Sequence, residues 1–173
     1  MRRWSTVGLV GLLLAACTNP RTSAGTTSVT TLPGALAPNA VVLYVSDGDT
    51  IGVTIDGVEE RVRLIGIDTP ETKKPDNPVE CFGPEASAFT AALLPVGTDL
   101  YLERDVEARD PYGRLLAYVY RTSDGMFVNL EIVAQGFARP LTIAPNVAHA
   151  DQFAAAARAA DADATGLWAA CTG

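Results

Sequence analysis

The sequence predicts an α+β fold, mainly β: a five-stranded OB-type barrel carrying three helices. Three observations lead there. Short β-branched and aromatic runs are separated by Asp-Gly dipeptides, a Gly-Pro-Glu triplet opens a helix in their midst, and an Ala-rich stretch follows the last of them. Five short strands with an inserted helix suit a small closed barrel, and the OB type is the natural candidate.

The elements follow in chain order. Val41 to Val45 is β-rich and stops at Asp47-Gly48, a hairpin-type dipeptide. Asp49 to Ile55 alternates Ile51, Val53 and Ile55 with Gly52 and Thr54, and Asp56-Gly57 then turns the chain into Arg61 to Asp68. Short turns joining three strands make an antiparallel meander. Gly83-Pro84-Glu85 starts a helix with Ala86, Phe89, Leu93 and Leu94 on one face, ending before Pro95 and Gly97. Asp99 to Arg104 and Leu115 to Tyr120 supply two more strands. Asn129 to Gln135 is a short helix stopped by Gly136, and His149 to Ala164, with no Gly or Pro, is the last helix.

What precedes these elements reads differently. Met1-Arg2-Arg3 is basic, and Thr6 to Ala16 is a run of apolar or small residues too short to span a bilayer, the layout of a secretory signal over residues 1–16. Leu14-Ala15-Ala16-Cys17 resembles a bacterial lipobox, in which Cys17 is lipidated and holds the chain on the outer side of a bacterial cell membrane. An ordinary signal cleaved nearby is the alternative. Through residue 38 the chain is rich in Thr, Ser, Gly and Pro and reads as a flexible tether, with a domain at 39–173. With Cys17 lipidated, Cys81 and Cys171 remain to form a disulfide in an oxidising setting. A single His and no CxxC argue against zinc.

Charge narrows the function classes. Removing the leader takes away Arg2 and Arg3 and no acid, so the net charge goes from −7 to −9. Such a body does not attract nucleic acid by bulk charge, and binding of a polyanion has to use a local cationic site.

Acidic residues fall at the turns. Asp49 follows the first turn, and Asp68 ends the third strand ahead of Thr69-Pro70-Glu71, where Pro70 forces the chain out of the sheet. Oxygen ligands without His or Cys favour Ca²⁺ or Mg²⁺, although Asp49 and Asp68 also suit ordinary turn and cap roles. Arg63, inside a strand between Val62 and Leu64, needs an anionic partner, structural or functional. Five residues separate it from Asp68, which places the two on opposite faces of a regular strand. Both reach one site only if the strand kinks, and Gly66 is the position for a bulge. A second arginine, Arg114, follows Asp110-Pro111-Tyr112-Gly113. Two arginines and a metal are the parts that grip a phosphodiester and stabilise its extra transition-state charge, whereas a solvated loop arginine is the plain alternative.

Together these motifs resemble the staphylococcal nuclease (thermonuclease) family. The likeness rests on Asp47-Gly48-Asp49-Thr50, Arg63 through Glu71, Gly83 through Phe89, Asp110 through Tyr118, Asn129, Gln135-Gly136 and Gly166-Leu167-Trp168. It implies Ca²⁺ held by the Asp49 and Asp68 carboxylates and the Thr69 carbonyl. It implies further that Glu71 positions or deprotonates water, that Arg63 and Arg114 grip the phosphate, and that DNA and RNA are cut to leave 3′-phosphates. Tyr112 remains as a substrate contact. The loop from Pro140 to Asn146 lacks the nucleotide-contacting tyrosines of the prototype, and Pro111 replaces a lysine, which together imply weaker or altered substrate binding. Cys81 and Cys171 are absent from the prototype. His149 is expected at the surface or as a cap, Trp168 in the core near the disulfide, and Lys73-Lys74 as solvated charge. A monomer without protein partners is expected. From another class, a catalytically inactive OB-fold lipoprotein that binds nucleic acid or a surface partner is the competing hypothesis.

Overall fold

The computed structural model describes residues 36–72 and 78–171. The leader, Cys17, nearly all of the tether and Lys73-Lys74 lie outside the described residues.

Strand β1 (Ala40–Asp47) pairs antiparallel with β2 (Thr50–Ile55), and β2 with β3 (Val58–Leu64). The turn between β2 and β3 puts both Asp56 (φ 50°) and Gly57 (φ 81°) in left-handed backbone, as a tight two-residue hairpin demands. Helix α1 (Gly83–Leu93), β5 (Asp99–Glu103), β6 (Leu115–Arg121), the two-residue β7 (Met126–Phe127) and α2 (Val128–Ala134) follow. The sheet order is β3-β2-β1-β5-β6-β7, and a parallel pairing of β3 with β6 closes five strands into the OB-type barrel. Val42, Ile51, Val53, Val62, Leu64, Leu100 and Val119 are buried in its core. Helix α3 (Ala150–Ala162) packs on α2, and the short α4 (Leu167–Ala170) ends the described chain.

The third strand is not continuous. It breaks at Ile65 and restarts as β4 (Gly66–Asp68), which leaves the barrel and pairs with β8 (Arg139–Leu141) in a small second sheet. Gly66 has φ 81°, and a Cβ there would lie 2.2 Å from the Phe153 ring of α3. Two independent constraints therefore demand glycine at the bend. Asn129 of α2 locks the corner: its Nδ2 donates to the Ile65 carbonyl (2.9 Å) and its Oδ1 accepts from Val119 N–H (2.9 Å). On the opposite side, Thr90 Oγ1 of α1 donates to the Gly48 carbonyl (2.6 Å) and pins the hairpin tip that carries Asp49.

His149 departs from expectation. It precedes α3 but makes no side-chain cap. Its ring instead packs edge-on to Tyr118 (4.4 Å) and Phe127 (5.0 Å), because the aromatic cluster beneath α3 offers an apolar bed. Trp168 is half-buried against the core, with the Arg139 guanidinium 4.7 Å above its ring.

Candidate active site

The kink at Gly66 decides the site. Val62 and Leu64 are fully buried, so alternation turns Arg63 away from the barrel interior. The bend then swings Asp68 back beside it. Arg63 Nη2 lies 3.1 Å from Asp49 Oδ2 and 3.0 Å from Asp68 Oδ1, so two carboxylates from separate elements share one guanidinium nitrogen. Arg63 Nη1 donates to the Leu64 carbonyl, which holds the guanidinium plane across the strand exit.

Asp49 is buried, and both of its oxygens accept hydrogen bonds. Oδ2 also accepts from Thr69 N–H (3.1 Å) and Thr69 Oγ1 (3.1 Å), and Oδ1 accepts from Thr50 Oγ1 (3.0 Å). The Thr69 side chain packs on Gly48, where a Cβ would approach Oγ1 to 2.7 Å. Asp68 is more exposed. Desolvation pushes its carboxyl above the ordinary value, Arg63 pulls it back, and the Asp49 and Glu80 charges raise it further. Negative charge here exceeds positive, which is the electrostatic condition for attracting a cation.

Arg114 joins from the other side. Its Nε donates to Asp110 Oδ2 (2.6 Å) and its Nη1 reaches Thr50 Oγ1 at 3.4 Å, so Thr50 links Arg114 to Asp49. Asp110 also accepts from the backbone N–H of Tyr112 and Arg114. Although desolvation works the other way, these bonds hold its carboxyl below the usual range and keep it an anion facing the guanidinium. Both arginines line a cavity of about 310 Å³, walled by aliphatic side chains that include Ile65, Leu116, Leu141 and Ile143. Tyr112, next in sequence to the cavity-lining Pro111, is 84% exposed, with Arg114 5.7 Å from its ring centre. A larger hollow of about 430 Å³ lies near the Asp56-Gly57 turn, but its Arg109 is neutralised by two bonds to Glu60.

Glu71 follows on the extended segment beyond Pro70. Its Oε1 accepts from Thr72 N–H (2.9 Å), and Thr72 Oγ1 donates to Asp47 Oδ1 (2.9 Å). The structure thus gathers Asp49, Arg63, Asp68 and Thr69 directly, adds Arg114 through Thr50, and sets Glu71 three residues past Asp68. Sequence reasoning missed Thr50, Asp110 as the brace of Arg114, and Glu80. Of these, only Asp110 carried a sequence signal, its place at the head of an Asp-Pro-x-Gly turn.

A family model described as "Staphylococcal nuclease homologue" matches residues 61–170, which hold every side chain of this cluster except Asp49 and Thr50. The chain belongs to the staphylococcal nuclease family. It is 49% identical to a thermonuclease of Staphylococcus intermedius over 106 residues, covering 61% of each chain. The match thus spans somewhat under two thirds of that relative. It is 40% identical to the Staphylococcus hyicus thermonuclease over 127 residues, covering 73% of each. To the endonuclease YncB of Bacillus subtilis it is 42% identical over 124 residues, 70% of this chain and 57% of that one.

The donor chemistry at the strand exit fits the hard cation that the family resemblance implies. The nearby donors are the Asp49 and Asp68 carboxylates and the Thr69 carbonyl, all oxygen; burial first, and then the Asp49 and Glu80 charges, raise Asp68, and positive charge would favour its ionised form. Among the described residues no group of three or more His, Cys, Asp or Glu side chains is arranged to hold a metal.

Proposed function

We propose that this chain is a Ca²⁺-dependent nuclease that hydrolyses phosphodiester bonds of DNA and RNA and leaves 3′-phosphate ends. One observation carries the reading: two arginines from distant parts of the chain line a single cavity, and one of them shares its guanidinium with the acidic pair. The relatives' names, thermonuclease and endonuclease, support the same class.

The roles follow from the chemistry. Arg63 and Arg114 hold the non-bridging phosphate oxygens and stabilise the charge that grows as the phosphorus becomes five-coordinate. Asp110 keeps Arg114 at its post, and Thr50 conveys its position to Asp49. Glu71 accepts a proton of the attacking water as the water oxygen bonds to phosphorus, the bond to the 5′-oxygen breaks, and the departing 5′-oxygen takes up a proton from solvent. Asp49, Asp68 and the Thr69 carbonyl would hold the Ca²⁺, which when bound would supply Lewis acidity toward the phosphate. Grip on phosphate and aliphatic cavity walls imply little preference among bases. Lipid on Cys17 would hold the enzyme outside the cell at the membrane, working as a monomer on passing nucleic acid.

The test is incubation with plasmid, single-stranded DNA and RNA, in Ca²⁺ or in chelator. Degradation in the Ca²⁺ lanes and none with chelator is expected. Intact substrate throughout would remove the enzyme and leave a binding module. Arg114→Ala is expected to lower kcat by about 10² to 10³-fold, the usual cost of one transition-state donor.

A further inference from the structure

Glu71 is gripped through its backbone by a residue nine positions away. Its N–H donates to Glu80 Oε2 (3.1 Å), and its carbonyl accepts from Glu80 N–H (3.0 Å). The two bonds fall on either side of the Glu71 Cα, so together they fix where that carbon sits and how its side chain leaves the backbone.

Glu80 itself stands on an anchored strip. Cys81, the next residue, is joined to Cys171 at the end of α4, across 90 positions of sequence. Phe82 stacks on Phe137 (5.2 Å), which stacks in turn on Phe89 of α1 (4.0 Å). Phe82 also sits at φ 69°, a left-handed conformation that a non-glycine residue keeps only where its surroundings impose it. Gly83 opens α1 so close to the Glu71 segment that a Cβ would lie 3.1 Å from the Glu71 carbonyl and 3.2 Å from that of Pro70. The strip from Glu80 to Gly83 is thus fastened to the C-terminal end, to an aromatic stack and to α1, and the Glu71 backbone lies along it.

We propose that Glu80, anchored by the Cys81–Cys171 bridge, is the positioning residue that holds Glu71 in place for the reaction. The proposal rests on the reading of Glu71 as the group that takes the proton from water. A group in that role tolerates little misplacement, and an error of about 1 Å costs on the order of 10²-fold in rate. Glu80 is exposed, and its bond to a backbone amide contributes little to global stability, so its loss belongs in kcat. Because the bond needs only an acceptor, a Gln side-chain oxygen replaces it and a methyl group does not.

Steady-state kinetics on the full chain with single-stranded DNA and Ca²⁺ test this. Glu80→Ala is expected to lose about 10- to 100-fold in kcat with KM within about threefold of the parent, and Glu80→Gln to keep most of the rate. The Cys81→Ser/Cys171→Ser protein, assayed where circular dichroism shows it folded, is expected to lose rate in the same sense. Adding Glu80→Ala to it should cost little more, since both act through one unit. Amide hydrogen exchange supplies a readout that needs no turnover: the Glu71 N–H should exchange at least about tenfold faster in Glu80→Ala, its hydrogen bond being lost. Parental kcat in Glu80→Ala, a Gln variant as slow as the Ala variant, or unchanged exchange at Glu71 would each overturn the proposal. A parent that cuts nothing while its Glu71 exchange responds to Glu80→Ala would overturn the base role of Glu71 and leave the positioning contact standing.

Discussion

Arg114 shows how much the identity of one side chain settles. Its Nε is committed to Asp110 while a second nitrogen points toward Thr50, a division of labour that needs a planar fork. A lysine carries one nitrogen and cannot brace against Asp110 while presenting a charge to the cavity. Arg114→Lys is therefore expected to fall within about tenfold of Arg114→Ala in kcat rather than near the parent. A lysine variant with parental kinetics would show that charge alone suffices there. Tyr118 makes a prediction about stability. Burial and its hydrogen bond to Asp105 (3.0 Å) push its hydroxyl from 10.0 up to about 12. The native state then holds that proton more tightly than the unfolded chain. Stability from this group is complete below pH 10 and is lost as pH rises toward 12, so alkaline unfolding should steepen in that window. Tyr118→Phe has no such proton and should flatten the dependence, at a cost of about 1 kcal/mol for the lost bond at neutral pH. Urea melts at pH 8, 10 and 11 compare the two proteins, and equal slopes would reject the assignment.

The decisive element is the broken strand. Gly66→Ala puts a Cβ into left-handed backbone and onto the Phe153 ring at once, so the bend must open or α3 must shift. We expect a loss of about 2 to 4 kcal/mol in chemical denaturation, with the proposed Ca²⁺ binding lost as well, because Asp68 is brought to the Asp49 side only through this bend. Parental Ca²⁺ affinity in a folded Gly66→Ala protein would contradict that link. The need for this kink was legible beforehand, since a five-residue spacing and a glycine inside a strand pattern have direct geometric meaning. The barrel strands were legible for the same reason: alternation and Asp-Gly turns are local signals. Strand β8 was not, because Arg139-Pro140-Leu141 has no alternation and a proline, and its pairing with β4 exists only in three dimensions. Thr50 hid likewise. A threonine in a strand looks ordinary until the fold brings Arg114, 64 residues away, to its hydroxyl. His149 misled because a polar residue before a helix suggests a cap, and nothing local reveals the aromatic bed that takes its ring.

Over the whole molecule, the bridge and the charge balance set the limits. In the chain-entropy account, closing a loop of about 90 residues is worth roughly 4–5 kcal/mol. Cys81→Ser/Cys171→Ser should thus melt at least about 10 °C lower than the parent, and a difference of a degree or two would mean that packing alone holds α4. Charge bears on substrate capture. The chain is net −7, and the candidate site offers Arg63 and Arg114 as its cations toward phosphate. Each phosphate neutralised on a single strand releases roughly 0.7 of a counterion, so two contacts give a log K against log salt slope of about −1.4. Repulsion between an acidic body and a polyanion acts in the opposite sense, since added salt screens it, and makes the slope shallower still. Binding of single-stranded DNA to the Glu71→Gln protein, followed from 50 to 300 mM salt, should show this weak dependence. A slope steeper than about −3 would require further phosphate contacts, and would place a basic track somewhere other than the two-arginine cavity.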